Sequence, residues 1–289
     1  MINPRIYIVL PVRNRLETTK KFLECLKMQT YNNYHLVLID DGSTDGTADY
    51  AKEQIEWITI LSGNGKLWWA GAFNKAFAFL CKIKPSYDDL VWINNDDTIF
   101  DSDYFAKMIN DKDLNPKSLI ISPGHSIYTD FVERGFTIYW PSIKTLKLAE
   151  GDEPDALTTR GLYMYFCTYF SLGKMHPWLL PHYLSDLEYT IRAKRRGYRL
   201  IISNDTFIHV DRSSTGLHHD NSETLKEFLY IHLISKKSAI NTFYWGNFVL
   251  LASPPRHKLF NILRIYLRFI RKLTAFILNK YGLKKPNYC

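Results

Sequence analysis

The chain has few cysteines, and the four that it has are widely separated. None of them lies in a CxxC pair. The sequence also lacks internal repeats and low-complexity tracts. A disulfide framework and a cysteine-based metal cluster are therefore not expected. These four positions are Cys25, Cys81, Cys167 and Cys289.

A leader segment is also not expected at the start of the sequence. The first apolar run covers only Ile6 to Leu10, and no basic segment followed by a long apolar stretch precedes it. A signal peptide needs about 7 to 15 consecutive apolar residues, so this short run predicts a strand. We therefore expect a reduced, cytoplasmic protein.

Acidic residues are absent from the last part of the sequence. The net charge is +8, but no Asp or Glu follows Glu227, whereas eleven Lys and Arg residues do. The preceding residues carry 26 positive and 29 negative side chains, a net charge of −3. This asymmetry indicates an anionic partner for the C-terminal segment alone. An acidic body argues against a nucleic-acid-binding protein, which the pI of about 9.1 would otherwise suggest.

The basic C-terminal segment has the spacing of an amphipathic helix between Arg256 and Lys280. Apolar residues such as Leu259, Ile262 and Leu263 alternate there with Arg264 and other basic residues. The charges within the run exclude a transmembrane span. The pattern favours binding to an anionic membrane surface, here the inner face of the cell membrane. The alternative is a helix that packs on the catalytic domain or on a second subunit, so a homo-oligomer is possible.

The first hundred residues alternate strand patterns with helix patterns. Predicted strands cover residues 5–10, 35–39, 57–61 and 90–93, and predicted helices cover residues 16–28, 47–56 and 70–82. This alternation predicts an α/β fold with a mostly parallel sheet and helices on both faces. Further strands are predicted at residues 119–122, 163–170, 198–202 and 207–210, and a helix at residues 186–196.

Polar clusters follow three of the predicted strands. They are Arg13-Asn14-Arg15, Asp40-Asp41 and the run from Asn94 to Asp97. Ligands of such sheets bind beyond the carboxyl ends of the strands, so these clusters are expected to meet at one edge. Turns and helix caps are the alternative explanation for each cluster, because Asp, Asn and Ser favour both.

Four motifs, in order, resemble the family 2 glycosyltransferases with the GT-A fold, a Rossmann-like fold. They are "YIVLPVRNRLETTKKFLECLKMQTYNNYHLVLIDDGSTDGT", "GNGKLWWAGAFNKAF", "WINNDDT" and "LSDLEYTIRAKRRGYRL". The motif with paired Trp before Ala-Gly-Ala resembles that of bacterial rhamnosyl- and galactofuranosyltransferases, which build surface polysaccharides. The resemblance covers about residues 5–215, and acidic residues begin to run out near Asp220. We therefore expect a catalytic domain over residues 1–220, with a nucleotide-sugar half to about 115 and an acceptor half from about 116. A helical C-terminal extension would cover residues 221–289.

Several residues are candidates for binding the sugar nucleotide. Backbone amides at Pro11 and Val12 could meet the base, and Arg13 could offset phosphate charge. The resemblance assigns Asp40 to reading the base, and a carboxylate of this cluster can also accept from a ribose hydroxyl. Further candidates are Asp41, Lys66, Trp69, Gly71 and Asn74. Gly71 is predicted at a helix start, where a backbone N–H can approach a ligand. At least one of the paired Trp residues is expected in the core.

The resemblance also implies a divalent metal ion, Mg²⁺ or Mn²⁺. The Asp-x-Asp signature of the family corresponds here to Asn95-Asp96-Asp97, so an amide replaces the first acid. Asp97 would bind the metal, and Asn95 and Asp96 would contact the ribose or the sugar. A cation would remove the repulsion between adjacent carboxylates. His209 is a second candidate metal ligand, although a lone His is often structural.

Asp186 corresponds to the residue that deprotonates the acceptor hydroxyl in the family. Its predicted place at a helix start should favour the ionised carboxylate. Glu188 lies two residues further on and would point away from the same site. The alternative is that Ser185 or Asp186 merely caps the helix.

Together these features predict an inverting, metal-dependent glycosyltransferase. The expected donor is a UDP- or dTDP-sugar, and the expected acceptor is a lipid-linked saccharide. The expected process is bacterial surface polysaccharide synthesis, such as O-antigen or capsule. A catalytically inactive GT-A scaffold and, less favoured, a nucleic-acid-binding protein are the alternatives.

Overall fold

The computed structural model describes residues 3–130, 132–148, 151–210 and 222–280. Strands β1 to β13 are Ile6–Val12, Tyr34–Asp40, Ile58–Ile60, Leu90–Ile93, Thr98–Ile99, Ser118–Ile121, Gly124–Ser126, Val132–Glu133, Phe136–Tyr139, Lys144–Lys147, Leu162–Tyr165, Arg199–Ile202 and Ile208–Val210. Helices α1 to α9 are Leu16–Lys27, Thr47–Gln54, Trp68–Ile83, Tyr104–Ile109, Phe166–Leu172, Ser185–Arg195, Leu225–Leu229, Thr242–Ala252 and Pro255–Lys280.

A seven-stranded sheet forms the centre of the fold. Its strand order is β12-β6-β11-β4-β1-β2-β3. Strand β11 runs antiparallel to both of its neighbours, and the other pairs are parallel. This arrangement confirms the predicted α/β class with a mostly parallel sheet.

Alternating residues of the sheet belong to two hydrophobic cores, one on each face. Ile6, Ile8 and Leu10 pack with residues of α1, α2 and α4. Tyr7 and Val9 pack with residues of α3, α5 and α6. Because both faces of a central parallel strand are covered, β1 is apolar along its whole length rather than alternating with polar residues. This is why the short apolar runs of the sequence predicted strands.

Two smaller sheets lie beside the main one. A four-stranded sheet has the order β5-β13-β7-β8, and β9 pairs with β10 in a hairpin. Strand β5 begins one residue after Asp97, and β13 pairs with it so that His209 lies opposite Ile99. The small sheet therefore brings the chain around His209 close to the end of β4.

The helices after residue 222 pack on the body and on each other. A third hydrophobic core joins α6, α8, α9 and the β9–β10 hairpin, with Phe248 and Ile265 among its members. Asn261 is fully buried and donates to the Trp140 carbonyl at 2.7 Å, and Arg268 donates to the Ser142 carbonyl at 3.1 Å. The predicted C-terminal helix is confirmed, and one side of it packs on the protein. Within the described residues, no helix combines the length and apolarity that crossing a membrane requires.

One predicted strand is wrong over half of its length. The predicted strand at residues 163–170 ends at Tyr165, and α5 follows at once. Phe166, Tyr169 and Leu172 are buried, and their spacing of three residues places them on one helical face. The expected boundary near Asp220 falls outside the described residues, so the division into domains stays a prediction.

Candidate active site

Three strand ends bring the polar clusters to one edge of the main sheet. Strands β4, β1 and β2 are adjacent and parallel, and Val12 pairs with Asp40 while Val9 pairs with Ile93. The residues that follow β1 and β4 therefore lie beside the end of β2. This edge is where parallel α/β sheets bind their ligands.

Asp96 accepts hydrogen bonds from two side chains of the protein. Its side chain is 3% exposed and accepts from Arg15 Nε at 2.7 and 2.9 Å and from Thr19 Oγ1 at 3.0 Å. Burial raises the pKa of Asp96 to about 6, although the positive charge of Arg15 opposes the rise. These bonds fix α1 against the end of β4. The expected contact of Asp96 with ribose or sugar stays a prediction.

Asp97, the next residue, has a buried oxygen with no partner. Its Oδ1 atom makes no hydrogen bond, and Oδ2 lies 3.4 Å from Arg160 Nη2 and 3.8 Å from Arg15 Nη2. Unpaired buried carboxylate oxygens are rare because losing water is costly. A divalent cation bound by oxygen ligands would satisfy this atom, so the residue fits the implied metal.

The other metal ligands are not assembled from the protein alone. In the part of the chain that the structure describes, no three or more His, Cys, Asp or Glu side chains are grouped to hold a metal ion. His209 packs with its ring 5.6 Å from that of Phe207 and 6.3 Å from that of His125. Asn95 is half-buried at the turn before Asp97. Diphosphate oxygens and water would have to complete the coordination of an ion at Asp97.

Arg160 and Glu133 connect the Asp97 region to Asp186, and no sequence motif pointed to either residue. Arg160 forms ion pairs with Asp97 and, at 3.3 Å, with Glu133. Both Arg160 and Glu133 act electrostatically on Asp186. Arg160 precedes a strand with no recognisable spacing around it, so only the folded chain shows this connection.

The environment of Asp186 differs from the expected one. Burial raises its pKa to about 6, and the negative charge of Glu133 adds to the rise, whereas the Leu187 N–H that donates at 2.9 Å opposes it. The expectation that the helix start would dominate and favour ionisation was therefore wrong in direction. A carboxyl group with a pKa near 6 is still mostly ionised at neutral pH, as a general base must be.

The capping alternative has a different outcome for Ser185 and for Asp186. Helix α6 has Leu184 at its N-cap position, and Ser185 Oγ donates to the His182 carbonyl at 2.6 Å, so Ser185 does not cap the helix. Asp186 Oδ1 accepts from the Leu187 N–H at 2.9 Å and so satisfies one backbone donor of the first turn. The general-base role of Asp186 therefore stays a prediction beside this structural role.

Glu188 has a structural role in a different direction. It is 3% exposed and pairs with Arg192 at 3.0 Å. Arg192 also donates to the Leu172 carbonyl at 2.7 Å and to the Lys174 carbonyl at 2.9 Å. The Glu188–Arg192 pair therefore ties α6 to the segment after α5. Glu188 does not share the role proposed for Asp186.

The carboxylates after β2 have separate partners. Asp40 Oδ1 accepts from the Ser43 N–H at 2.9 Å, which fixes the side chain at the strand end. Asp41 accepts from the backbone N–H groups of Gly65 at 2.8 Å, Leu67 at 2.9 Å and Trp68 at 3.3 Å. Asp41 thus holds the loop before α3, and its expected contact with a ligand stays a prediction.

The first strand ends in a short exposed segment. Val12 is buried, Pro11 is half-buried and Arg13 is exposed. Arg13 Nη1 donates to the Gly65 carbonyl at 2.6 Å. The guanidinium group is therefore held beside the loop that Asp41 organises, where it can still face an anion.

Two candidate binding residues of α3 bond to the protein itself. The Asn74 amide donates to the Met175 carbonyl at 3.1 Å and accepts from the Met175 N–H at 2.8 Å, so it joins two segments of the protein. Because α3 begins at Trp68 rather than at the expected Ala70, the Gly71 N–H donates to the Leu67 carbonyl at 3.1 Å. The ligand contacts expected of Asn74 and Gly71 stay predictions. Lys66 is exposed, and Trp69 packs against the core as expected for one of the paired Trp residues.

A cavity of about 570 Å³ lies away from this edge. Its lining includes His125, Arg134, Lys194, Arg199 and Phe207, but neither Asp97 nor Asp186. Because an open cleft at strand ends encloses little volume until a ligand fills it, we place the active site by its carboxylates and not by this cavity.

Comparison with known proteins agrees with the fold. The family model for glycosyl transferase family 2 matches residues 7–171. This match covers more than half of the chain, and the chain therefore belongs to glycosyl transferase family 2. No curated protein sequence matches it.

Solved glycosyltransferase structures share the fold. A mannosyltransferase from Pyrobaculum calidifontis, solved with GDP-Man and Mn²⁺, has a TM-score of 0.58 at 13% identity over 99% of this chain and 77% of that one. GalNAc-T7 with UDP, GalNAc and Mn²⁺ has a TM-score of 0.57 at 14% identity over 99% of this chain and 59% of that one. S. aureus TarS 1-349 has a TM-score of 0.55 at 10% identity over 96% of this chain and 91% of that one.

Proposed function

We propose that this family 2 glycosyltransferase is inverting and metal-dependent. In this proposal it moves a hexose or deoxyhexose from a UDP- or dTDP-sugar to a saccharide acceptor during bacterial surface polysaccharide synthesis. The observation that carries the proposal is the buried, unpaired Oδ1 atom of Asp97, which lies on the same network of charges as Asp186.

Each part of the reaction has a candidate residue. Asp186 takes the proton of the acceptor hydroxyl as its oxygen attacks the anomeric carbon of the donor sugar. Attack from the side opposite the departing diphosphate inverts the anomeric configuration. A bound Mg²⁺ or Mn²⁺ at Asp97 would neutralise charge on the departing nucleoside diphosphate. Arg13 adds a positive charge near the same edge.

The base and the sugar are the finer parts of this proposal. Asp40, fixed at the end of β2, supports recognition of a uracil or thymine N–H by a carboxylate. One structural neighbour was solved with GDP-Man and another with UDP, so guanine nucleotides belong among the compounds tested.

The exposed side of helix α9 supports the proposal that the protein binds to a membrane surface. Its outward side carries apolar residues that are 53 to 73% exposed, Leu259, Phe260, Leu263, Leu267 and Ile270. Arg264, Arg268 and Arg271 recur every three to four residues along one flank of this apolar stripe. An exposed apolar stripe with a basic flank suits an anionic lipid surface, where a lipid-linked acceptor would be found.

A thermal-shift screen of nucleotide sugars tests the proposal. UDP-, dTDP- and GDP-sugars are compared in Mn²⁺ and in EDTA, because a ligand that binds only the folded state stabilises it by mass action. At a hundred times its Kd, the matching donor should add about 2.7 kcal/mol of stability in Mn²⁺ and little in EDTA. Equal stabilisation in EDTA, or none by any donor, would contradict metal-dependent donor binding.

A further inference from the structure

Two strained turns meet beside the candidate active site. Trp68, at the start of α3, has a φ of 57°, and Leu184, before α6, has a φ of 68°. The Ala70 N–H donates to the Pro181 carbonyl at 3.0 Å and joins the two turns. Residues other than glycine pay about 1 to 3 kcal/mol in this left-handed region, and such strain clusters at ligand sites.

Aromatic rings and two lysines converge at these turns. The Trp68 and His182 rings lie 5.8 Å apart, and Lys236 Nζ lies 5.9 Å from the centre of the Trp68 ring. Burial lowers the pKa of His182 to about 4, and the positive charge of Lys237 contributes. Both lysine side chains are exposed. The positive charges of Lys236 and Lys237 therefore lie on the exposed side of the Trp68–His182 cluster.

A buried polar atom in this cluster has no partner. It is His182 Nδ1. Buried nitrogen atoms of this kind are nearly always hydrogen-bonded in folded proteins. An oxygen atom of a bound ligand would supply the missing partner.

The cluster lies between the two ends of the candidate active site. The Trp68 N–H donates to Asp41 at 3.3 Å on one side. On the other side, His182 is four residues before Asp186, and its carbonyl accepts from Ser185. The cluster therefore lies between the loop that Asp41 holds, at the nucleotide end of the site, and Asp186, the candidate base. An acceptor would enter at the end beside Asp186.

The lysines come from a segment outside the residues that match the family model. This segment, residues 235–241, is fixed to α8: Trp245 Nε1 donates to the Ala239 carbonyl at 2.9 Å, and Asn241 Nδ2 donates to the Ser235 carbonyl at 3.2 Å. Asn241 also caps α8 by accepting from the Phe243 N–H at 2.9 Å. The backbone that carries Lys236 and Lys237 is thus held in place from both ends.

We propose that Trp68, His182, Lys236 and Lys237 bind a phosphate or diphosphate group that the acceptor carries. Two ammonium groups at one mouth supply charge-assisted hydrogen bonds to phosphate oxygens. The inference rests on the proposed function, because it assigns the acceptor end of that same site. It makes the C-terminal region part of substrate recognition and not only a support for the catalytic domain.

Binding of geranyl diphosphate, measured by calorimetry in EDTA on the full chain, tests this site. The variant Lys236→Gln/Lys237→Gln should weaken binding by about tenfold or more, because both charged donors are lost. Lys52→Gln/Lys82→Gln is the matched control, since it removes the same charge from exposed positions on α2 and α3. Geraniol, which lacks the diphosphate, should bind far more weakly than geranyl diphosphate.

Three results would overturn the proposal. They are equal affinity of the parent and the Lys236→Gln/Lys237→Gln variant, loss of geranyl diphosphate binding when UDP and Mn²⁺ fill the donor site, and a variant that loses only binding to phosphatidylglycerol vesicles. The last result would assign the lysines to lipid headgroups. Failure of the parent to bind UDP with Mn²⁺ in the same samples would instead contradict the proposed function. It would not change the conclusion drawn from geranyl diphosphate binding.

Discussion

Charged side chains form ion pairs within the protein at the edge of the main sheet, whereas charged side chains of helix α9 in the C-terminal region are exposed. At the sheet edge, the side chains of Asp96 and Asp97 are only 4% and 11% exposed and lie beside Arg15 and Arg160. On α9, Arg271 and Lys272 are exposed, and apolar residues are exposed beside them. A buried charge must be matched by the fold itself, so its partners reveal its role. Exposed charges around an apolar stripe are matched by something outside the chain.

The adjacent residues Asp96 and Asp97 repeat this contrast on a smaller scale. Both oxygens of Asp96 have partners in the protein, whereas one oxygen of Asp97 has none. The first residue therefore belongs to the structure, and the second is left for a ligand. Substitutions that separate structural from chemical roles are the way to test this distinction.

The largest effect is expected for Asp186→Asn. This change keeps the size of the side chain but removes the ability to take a proton. General-base removal costs about 10²- to 10⁴-fold in rate, so turnover should fall at least about a hundredfold. Donor affinity, measured by calorimetry with Mn²⁺, should change little.

Glu188→Gln is the control for this prediction. It weakens the pair with Arg192 and should lower stability, while turnover of the folded enzyme falls far less than in Asp186→Asn. If Glu188→Gln lost activity and Asp186→Asn kept it, the base would be misassigned. If neither change altered turnover, the general-base mechanism would be wrong.

The next effect concerns stability. Asp96→Ala removes the closest acidic partner of Arg15, at 2.7 Å, and leaves the partly buried guanidinium group with the more distant Asp97, at 3.8 Å. Breaking a buried ion pair in this way costs about 3 kcal/mol, near the lower limit because Arg15 is partly exposed. Urea denaturation measures the loss. An unchanged midpoint would show that Asp96 is not the structural residue of the pair.

A smaller effect is expected for the exposed charges of α9. Arg271→Glu/Lys272→Glu reverses two charges that no described hydrogen bond uses, and each basic residue near an anionic surface contributes about 1 kcal/mol. Sedimentation with phosphatidylglycerol vesicles should therefore weaken by about tenfold or more. Substitution is preferable to removing the helix, because Asn261 and Ile265 are buried against the body. Equal sedimentation of parent and variant would exclude α9 as the membrane contact.

The smallest predicted effect is a shift in pH dependence. Because the pKa of Asp186 is raised to about 6, kcat/KM should fall as the pH drops through that value and the base is protonated. Glu133→Gln removes a negative charge that raises this pKa, so the fall should move to lower pH, by up to about one unit. The pKa of Asp96 is also raised to about 6, but there the causes are burial and the neighbouring Arg15, Thr19 and Asp97. An unmoved profile would assign the titration to another group.

The sequence predicted the sheet and the convergence of its polar ends because those features are local. Central parallel strands are short apolar runs, and the polar residues directly follow them. Contacts between distant residues could not be predicted in this way. Asn74 bonds a residue 101 positions away, and Arg160 reaches Asp97 from a segment without a motif. The raised pKa of Asp186 likewise depends on packing and on Glu133, neither of which the helix pattern contains.

Calorimetric titration of a nucleoside diphosphate into the parent and into Asp97→Ala tests the central claim most directly. The parent should bind UDP or dTDP in Mn²⁺ and much more weakly in EDTA, because Asp97 contributes an oxygen to the ion that meets the diphosphate. Asp97→Ala should stay folded and lose the difference between Mn²⁺ and EDTA. Binding by Asp97→Ala that is as tight and as dependent on Mn²⁺ as in the parent would contradict the assignment of this edge as a metal-dependent active site.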